Sequence, residues 1–422
     1  MSRLCFICKY PPIQGGTSTS TYWHIRALAK KGHQIHVVSN CWEVEESYRQ
    51  YFTGDDLDFI KDIEFESGGY IRHHFSNPFL EPKFIPYNHP FLSKLASIAI
   101  EVVEKFKCEK IVSYYLEPYS VAAFIVSMAT GIPYYIRHAG SDITRLYNNP
   151  ELNNTYKFVM KKASGVLTTP RSFSIVNSII EREKISIIQA DYLPKDFYNN
   201  KFPKLNIKDL LESLDDHVIT NKLLSWNNGS FDSSKVTLGI YCKAAKNKGI
   251  LELIEALEKI DNVADKINLV FVTGGNALNN IQERLKKSII KKSCFFIPFL
   301  PPWKIPSFIN SCDMLFALEN MFSVKVHGPR IPLEILACGG CILISDELKS
   351  KQFYRNQIQN NKNAIVVHNP RDIAELKNNI NNLLNNVSLI SEIKEGASKI
   401  FDSYDIYSPN EFIEQFENAI GI

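Results

Sequence analysis

Short apolar runs alternate with amphipathic stretches along this chain, the rhythm of strand, helix, strand. In the first 40 residues, apolar Leu4 to Cys8 is followed by a loop, by a helix face through Ile25, Leu28 and Ala29, by Gly32, and by apolar Ile35 to Val38. Gly32 suits a left-handed helix C-cap. Further strands are predicted at Lys110 to Tyr114, Tyr134 to Arg137 and Gly165 to Thr168. Beyond them, 199–234 is rich in Asn, Asp, Ser and Lys around one amphipathic stretch, Leu205 to Leu224, and reads as a linker with a helical insertion. The strand and helix rhythm then resumes. Val236 to Tyr241 and Leu269 to Val272 read as strands, and Ile250, Leu253, Ile254 and Leu257 mark a helix face. Two further units span Phe295 to Leu318 and Ile331 to Ser345. The Asn-rich segment Lys377 to Asn386 keeps Ile373, Leu376, Ile380, Leu383 and Leu384 at helical spacing, so an ordered helix is predicted.

This pattern predicts two Rossmann-like, doubly wound α/β domains, 1–198 and 235–400. A last helix over 401–422, with Phe412, Phe416 and Ile420 at helical spacing, is expected to pack back on the first domain. Open α/β sheets bind ligands at the carboxyl ends of their strands, so a tandem pair implies a central cleft.

Composition narrows the function classes. With 45% hydrophobic and 22% charged residues the chain is of ordinary globular type, and +3 over 422 residues is too little charge to predict nucleic-acid binding. The basic run Arg284 to Lys292 reads as a solvated helix face that leaves room for peripheral contact with a membrane surface. Residues Tyr119 to Ile136 carry no Asp, Glu, Lys or Arg, but Gly131-Ile132-Pro133 breaks the stretch, so helix, turn and buried strand are predicted rather than a membrane span. The amino-terminal run lacks a signal-peptide cleavage site, and the nine cysteines are odd in number. Reduced thiols and a cytoplasmic location follow as expectations. Two C-x-x-C pairs, Cys5/Cys8 and Cys338/Cys341, are not read as metal or redox sites. Cys5 and Cys8 lie in an extended segment, where residues three apart face opposite ways.

Four segments carry the candidate chemistry. They are the loop from Tyr10-Pro11-Pro12 to Gly15-Gly16; Gly239 through Lys243 to Lys248-Gly249; Phe271-Val272-Thr273-Gly274-Gly275; and Pro332-Leu333-Glu334 through Gly339-Gly340. In this order they resemble the retaining family 4 glycosyltransferases, over most of the chain. That resemblance implies the GT-B fold and transfer of a sugar from a nucleotide-sugar donor, UDP- or GDP-linked, without a cofactor or metal. Lys243 and Lys248 would bind the diphosphate and stabilise it as it leaves. Glu334 would accept hydrogen bonds from ribose hydroxyls. Pro298 and Phe299 would hold the base, Gly15 and Gly16 would bring backbone amides close to the donor phosphate or the acceptor, and His138 would touch the donor sugar. Asp142 would orient its loop or the acceptor.

The family usually has a second Glu eight positions before the ribose Glu; here that position is Val326. His327 or Arg330 would take over contact with the sugar or phosphate. The implied mechanism retains anomeric configuration by front-face attack, with the leaving phosphate as base. Val326 keeps a second class of reading open, a nucleotide-sugar-binding protein without turnover. Another GT-B enzyme, such as a nucleotide-sugar epimerase, is a third. The acceptor is not legible.

Overall fold

The computed structural model describes all residues except 79–89, 189–191, 215–226, 228, 276, 327 and 404–408, and it leaves out the side chains of 401–403, 409 and 410. The chain divides into two compact units, Met1–Pro194 with Tyr407–Ile422, and Lys195–Ile406.

The first unit is built on an eight-stranded sheet: β1 (Arg3–Cys8), β2 (Gln34–Ser39), β3 (Asp62–Glu64), β4 (Tyr70–Phe75), β5 (Lys110–Tyr114), β6 (Tyr134–Arg137), β7 (Gly165–Thr168) and β8 (Ile185–Ile187). The order is β3-β4-β2-β1-β5-β6-β7-β8, and only the β3–β4 pair is antiparallel. A strand buried on both faces reads as a continuous apolar run, and β1 does: Leu4 to Cys8 are all at most 1% exposed. The edge strands β3 and β8, and β4 beside β3, carry polar or short patterns, and the sequence reading did not anticipate them. The uncharged stretch resolves as expected into a helix, Val121–Thr130, a left-handed Gly131 at φ 73°, and β6. The Pro409–Ile420 helix belongs to this unit and buries Phe412, Phe416 and Ile420. Phe416 stacks on Phe6 of β1 with ring centroids 6.2 Å apart, and Glu417 accepts a 2.8 Å hydrogen bond from His33 and pairs with Lys31.

The second unit carries six parallel strands: β9 (Val236–Tyr241), β10 (Ile267–Val272), β11 (Cys294–Ile297), β12 (Met314–Ala317), β13 (Ile342–Ser345) and β14 (Ile365–Val367). Their order is β11-β10-β9-β12-β13-β14. Progression therefore reverses between β9 and β12, which makes the carboxyl ends of those two strands the switch point where such sheets bind ligands. The Asn-rich segment forms the predicted helix, Ile373–Asn385, because Leu376, Ile380 and Leu383 share a buried face and Asp372 caps its first amides.

The expected linker 199–234 is corrected where it is described: it belongs to the second unit. Its backbone carbonyls and the Asn227 side chain are hydrogen-bonded to the rest of that unit. Asn310 donates to the carbonyls of Asn199 and Phe202 at 3.0 and 2.8 Å, Ser311 donates to Leu205, and the Asn227 amide oxygen accepts from Phe296. The insertion is described as a helix only over Ile207–Leu214.

Candidate functional site

At the switch point of the second unit, the loop after β9 holds Lys243 and Lys248. A left-handed Gly249, φ 70°, opens the Ile250–Glu258 helix. No side chain fits at 249, because a Cβ would lie 2.5 Å from Leu318 Cβ and 2.7 Å from the Leu318 carbonyl oxygen. The glycine thus brings Lys248 against the end of β12. The neighbouring loops are tied in by backbone bonds: Ala244 N–H donates to Gly274 at 3.0 Å, the Thr273 hydroxyl to Cys242 at 2.7 Å, and Thr273 N–H to Ile297 at 3.1 Å. Those bonds place the loop with Gly274 and Gly275, and the Pro298-Phe299 step after β11, beside the two lysines. Phe299 is buried and Pro298 half-buried. Lys243 is exposed; partial desolvation of its ammonium, then the like charge of Lys248, lowers its pKa.

Lys248 is paired with Glu319, a residue the sequence reading missed. Glu319 stands two residues past β12, is 2% exposed, and also lies 3.7 Å from Lys351 Nζ. Lys351 reaches Glu347 at 2.6 Å, and Glu347 accepts from the amides of Met321 and Phe322. Ser345, the last residue of β13, donates its hydroxyl to the Glu319 carbonyl at 2.6 Å and accepts from Leu348 N–H at 3.2 Å. Two lysines and two carboxylates thereby close the switch point with near-zero net charge. An acidic residue just past a strand was the only local signal for Glu319; nothing local marked Lys351.

Glu334 lies in the first turn of the Ile331–Ala337 helix and is 4% exposed. The Tyr241 hydroxyl, at the end of β9, is 3.1 Å from its carboxylate, and Arg330 Nε is 3.4 Å away. Burial first, and then the Glu334 charge, raises the Tyr241 pKa. The i, i+4 geometry of a helix brings Arg330 and Glu334 together, so both face one interior. Val326 is half-buried, and His327 lies outside the described residues.

In the first unit, the order reverses between β1 and β5, and the loop after β1 ends at Gly15, φ 136°, followed by the exposed Gly16 at the start of the Gly16–Lys30 helix. That helix begins without a side-chain cap or an acidic residue in its first turn. His138 follows β6 and is buried. Gly140 N–H donates to its Nδ1 at 3.1 Å, which leaves the ring proton on Nε2 to donate to Thr168 Oγ1 at 2.6 Å. Burial, reinforced by the Arg137 charge, lowers its pKa to about 3, so it is neutral at pH 7. Asp142, wholly buried, accepts from the amides of Leu116, Ala139 and Ile143 at 3.0 to 3.1 Å, joining the loops after β5 and β6. Burial outweighs those bonds and lifts its pKa to about 6.

The remaining features do not extend the site. All nine cysteines are free thiols; burial raises the pKa of Cys5, Cys8, Cys338 and Cys341. Among the described residues no group of His, Cys, Asp and Glu could hold a metal ion, and no helix is long and apolar enough to cross a membrane. In the basic run, Arg284 is paired with Glu258 at 2.9 Å. A cavity of about 510 Å³ in the second unit, lined by Lys204, Asn310, Lys394 and Lys399, contains none of the expected site residues. It sits at the amino ends of β12 and β13, where Cys312 and Gly340 line it.

Comparison with known proteins gives these sites a context. Residues 227–400 match the family described as glycosyl transferases group 1. Over 338 residues, covering 79% of this chain and 76% of the relative, the chain is 22% identical to N-acetyl-alpha-D-glucosaminyl L-malate synthase of Bacillus anthracis. Among solved structures, HepE of Anabaena in complex with UDP and glucose superposes over all of both chains with a TM-score of 0.64 at 13% identity. Sucrose-phosphate synthase of Thermosynechococcus elongatus covers 99% of this chain and 98% of its own, with a TM-score of 0.62 at 12% identity. The match to glycosyl transferases group 1 falls within the second unit of this chain, and the chain is a glycosyltransferase of the GT-B fold.

Proposed function

We propose that this enzyme transfers a sugar from a nucleoside-diphosphate sugar to an acceptor hydroxyl with retention of configuration and without a metal. The observation that carries the reading is the pair Lys243 and Lys248, set by Gly249 at the β9/β12 switch point. Cleaving the bond between a sugar and a diphosphate requires stabilisation of the departing negative charge, and two ammonium groups supply it where many other enzymes use a divalent ion. HepE, whose structures contain UDP and UDP-glucose, supports a uridine donor as the first to try. In this reading Glu334 receives the ribose hydroxyls with Arg330 alongside, and Gly274, Gly275, Pro298 and Phe299 line the nucleoside. In the first unit, His138 offers a neutral imidazole to a sugar, and Asp142 orients the loop that carries it by accepting from Ala139 and Leu116. Front-face transfer needs no protein base, because the leaving phosphate accepts the acceptor proton.

The test is a panel of radiolabelled UDP, GDP and dTDP sugars, scored for transfer and for donor hydrolysis, with and without EDTA. Turnover insensitive to EDTA is expected. Turnover abolished by EDTA and restored by magnesium would sink the metal-free mechanism. Tight binding with neither transfer nor hydrolysis would favour the second reading, a nucleotide-sugar-binding protein, for which Val326 in place of the usual Glu is the motivation.

A further inference from the structure

The loop after β12 is shaped around a charge cluster that the diphosphate reading does not by itself require. Met321 holds a left-handed backbone, φ 54°, which is unfavourable for a side chain of this size, and its amide and that of Phe322 are gripped by Glu347. This sets the Phe322 ring 5.9 Å from Lys248 Nζ and 5.4 Å from Lys351 Nζ. Both ammonium groups also address one buried carboxylate, Lys248 at Glu319 Oε2 and Lys351 at Oε1. Asn247 and Asn320, next to the two ends of the Lys248–Glu319 pair, are linked by a 2.9 Å backbone bond. Each leaves a buried side-chain polar atom, Nδ2 of Asn247 and Oδ1 of Asn320, without a hydrogen-bond partner. An unsatisfied buried donor and acceptor beside a charged cluster fit a place that a polar ligand completes.

We infer that Glu319 is a positioning residue for the Lys248 ammonium, and that Lys351 governs how much of the Glu319 charge Lys248 must neutralise. The inference rests on the reading that Lys248 binds the donor diphosphate. An ammonium has three donors, and one carboxylate oxygen occupies one of them, so Glu319 fixes the position of Lys248 while leaving donors for phosphate oxygens. A lone buried Glu–Lys pair is a closed, neutral unit that attracts an anion weakly. A second lysine on the other carboxylate oxygen shares the Glu319 charge, so less of the Lys248 charge is spent on it, while the four groups with Glu347 together stay near neutral. Lys351 is itself steadied by Glu347 on its outer side, so it stays on Glu319 instead of moving to the ligand. The carboxylate thus gives Lys248 its geometry, and Lys351 preserves its charge for the diphosphate.

The test is UDP binding by calorimetry, with GDP as a parallel arm, together with donor hydrolysis, on variants checked for folding by thermal melts. Lys351→Met places the whole Glu319 charge on Lys248, and UDP affinity is expected to fall about tenfold. Lys351→Arg should restore it to within about threefold of wild type. Glu319→Gln should bind UDP as tightly as wild type or more tightly, yet lose about tenfold in kcat, since Lys248 is no longer held where the leaving charge develops. In the Glu319→Gln background, Lys351→Met should cost less than threefold in UDP affinity. An equal cost in both backgrounds, or failure of Lys351→Arg to rescue, overturns the inference. If Glu319→Gln does not fold, the Met and Arg variants at 351 still decide it. Failure of the underlying reading looks different: Lys248→Ala would then leave UDP affinity unchanged, or the wild-type protein would bind neither nucleotide.

Discussion

The loops after β5 and β6 in the first unit are held by groups whose charge is disfavoured, whereas those after β9, β12 and β13 in the second are held by four charged side chains. His138 is bonded at both ring nitrogens and neutral, and Asp142 spends its acceptors on backbone amides. Lys248, Glu319, Lys351 and Glu347 hold each other instead. Both sheets reverse their strand progression at the centre, so topology does not account for the difference. A loop whose buried groups are all satisfied is a finished wall. A loop closed by ion pairs holds ammonium groups in place while leaving part of their donor capacity for an incoming anion. The contrast teaches that two switch points of the same topology differ through the charges their loops carry.

Acid should break this comparison most strongly. His138, His73 and His36 of the first unit are buried, and burial, more than neighbouring charges, lowers their pKa to about 3, 3 and 4 from an ordinary 6.5. Between those values the unfolded chain binds protons that the folded unit does not, so stability is lost as pH falls below 6.5. By pH 5 the loss is about 2 kcal/mol per histidine, offset by about 1 kcal/mol from Asp142, whose raised pKa acts in the opposite sense. Among its described residues the second unit buries no histidine, His368 being exposed. Hydrogen exchange at pH 5 should therefore show the amides of the first unit losing protection before those of the second; uniform loss would remove the distinction.

Lys248→Ala sharpens the other side. It leaves the buried Glu319 carboxylate without its nearest cation and removes a diphosphate contact, and kcat/KM for transfer is expected to fall by about 10² to 10³. The melting of the first unit should not move.

Two glycines after the first strand of each sheet give a smaller, paired test. Gly249 and Gly15 both have positive φ, but a Cβ at 249 meets Leu318 at 2.5 Å, while one at 15 meets nothing within 4 Å. Gly15→Ala should cost about 1 kcal/mol from backbone strain alone, and Gly249→Ala about 2 to 3 kcal/mol because overpacking is added. Equal losses in chemical denaturation would show that the approach to Leu318 is easily relieved. Ser345→Ala is expected to have the smallest effect, about 1 kcal/mol, from loss of the helix cap and of the bond to the Glu319 carbonyl. A denaturant midpoint unchanged from wild type would show that cap to be dispensable.

The sequence by itself determined the two parallel-sheet units, because central strands such as Leu4 to Cys8 and Leu269 to Val272 are unbroken apolar runs and the helices between them keep a 3.6-residue spacing. Lys243, Lys248 and Glu334 were singled out by the resemblance of their segments to the family 4 glycosyltransferases; their spacing alone did not mark them. Edge strands β3 and β8, and the neighbouring β4, were not legible, because a half-exposed strand at or near a sheet edge need not follow an apolar pattern. Residues 199–214 looked like a linker because their Asn and Ser side chains are polar, and only the fold shows the Asn310 and Ser311 side chains that donate to the segment's carbonyls and bind it to the second unit. What tertiary structure alone decided is pairing across the chain. Glu319 meets Lys248 from 71 residues away, and Lys351 joins them from the segment that follows β13. Local spacing records which residues share a helix face or a strand end; it carries no record of which loops a parallel sheet brings together at its centre.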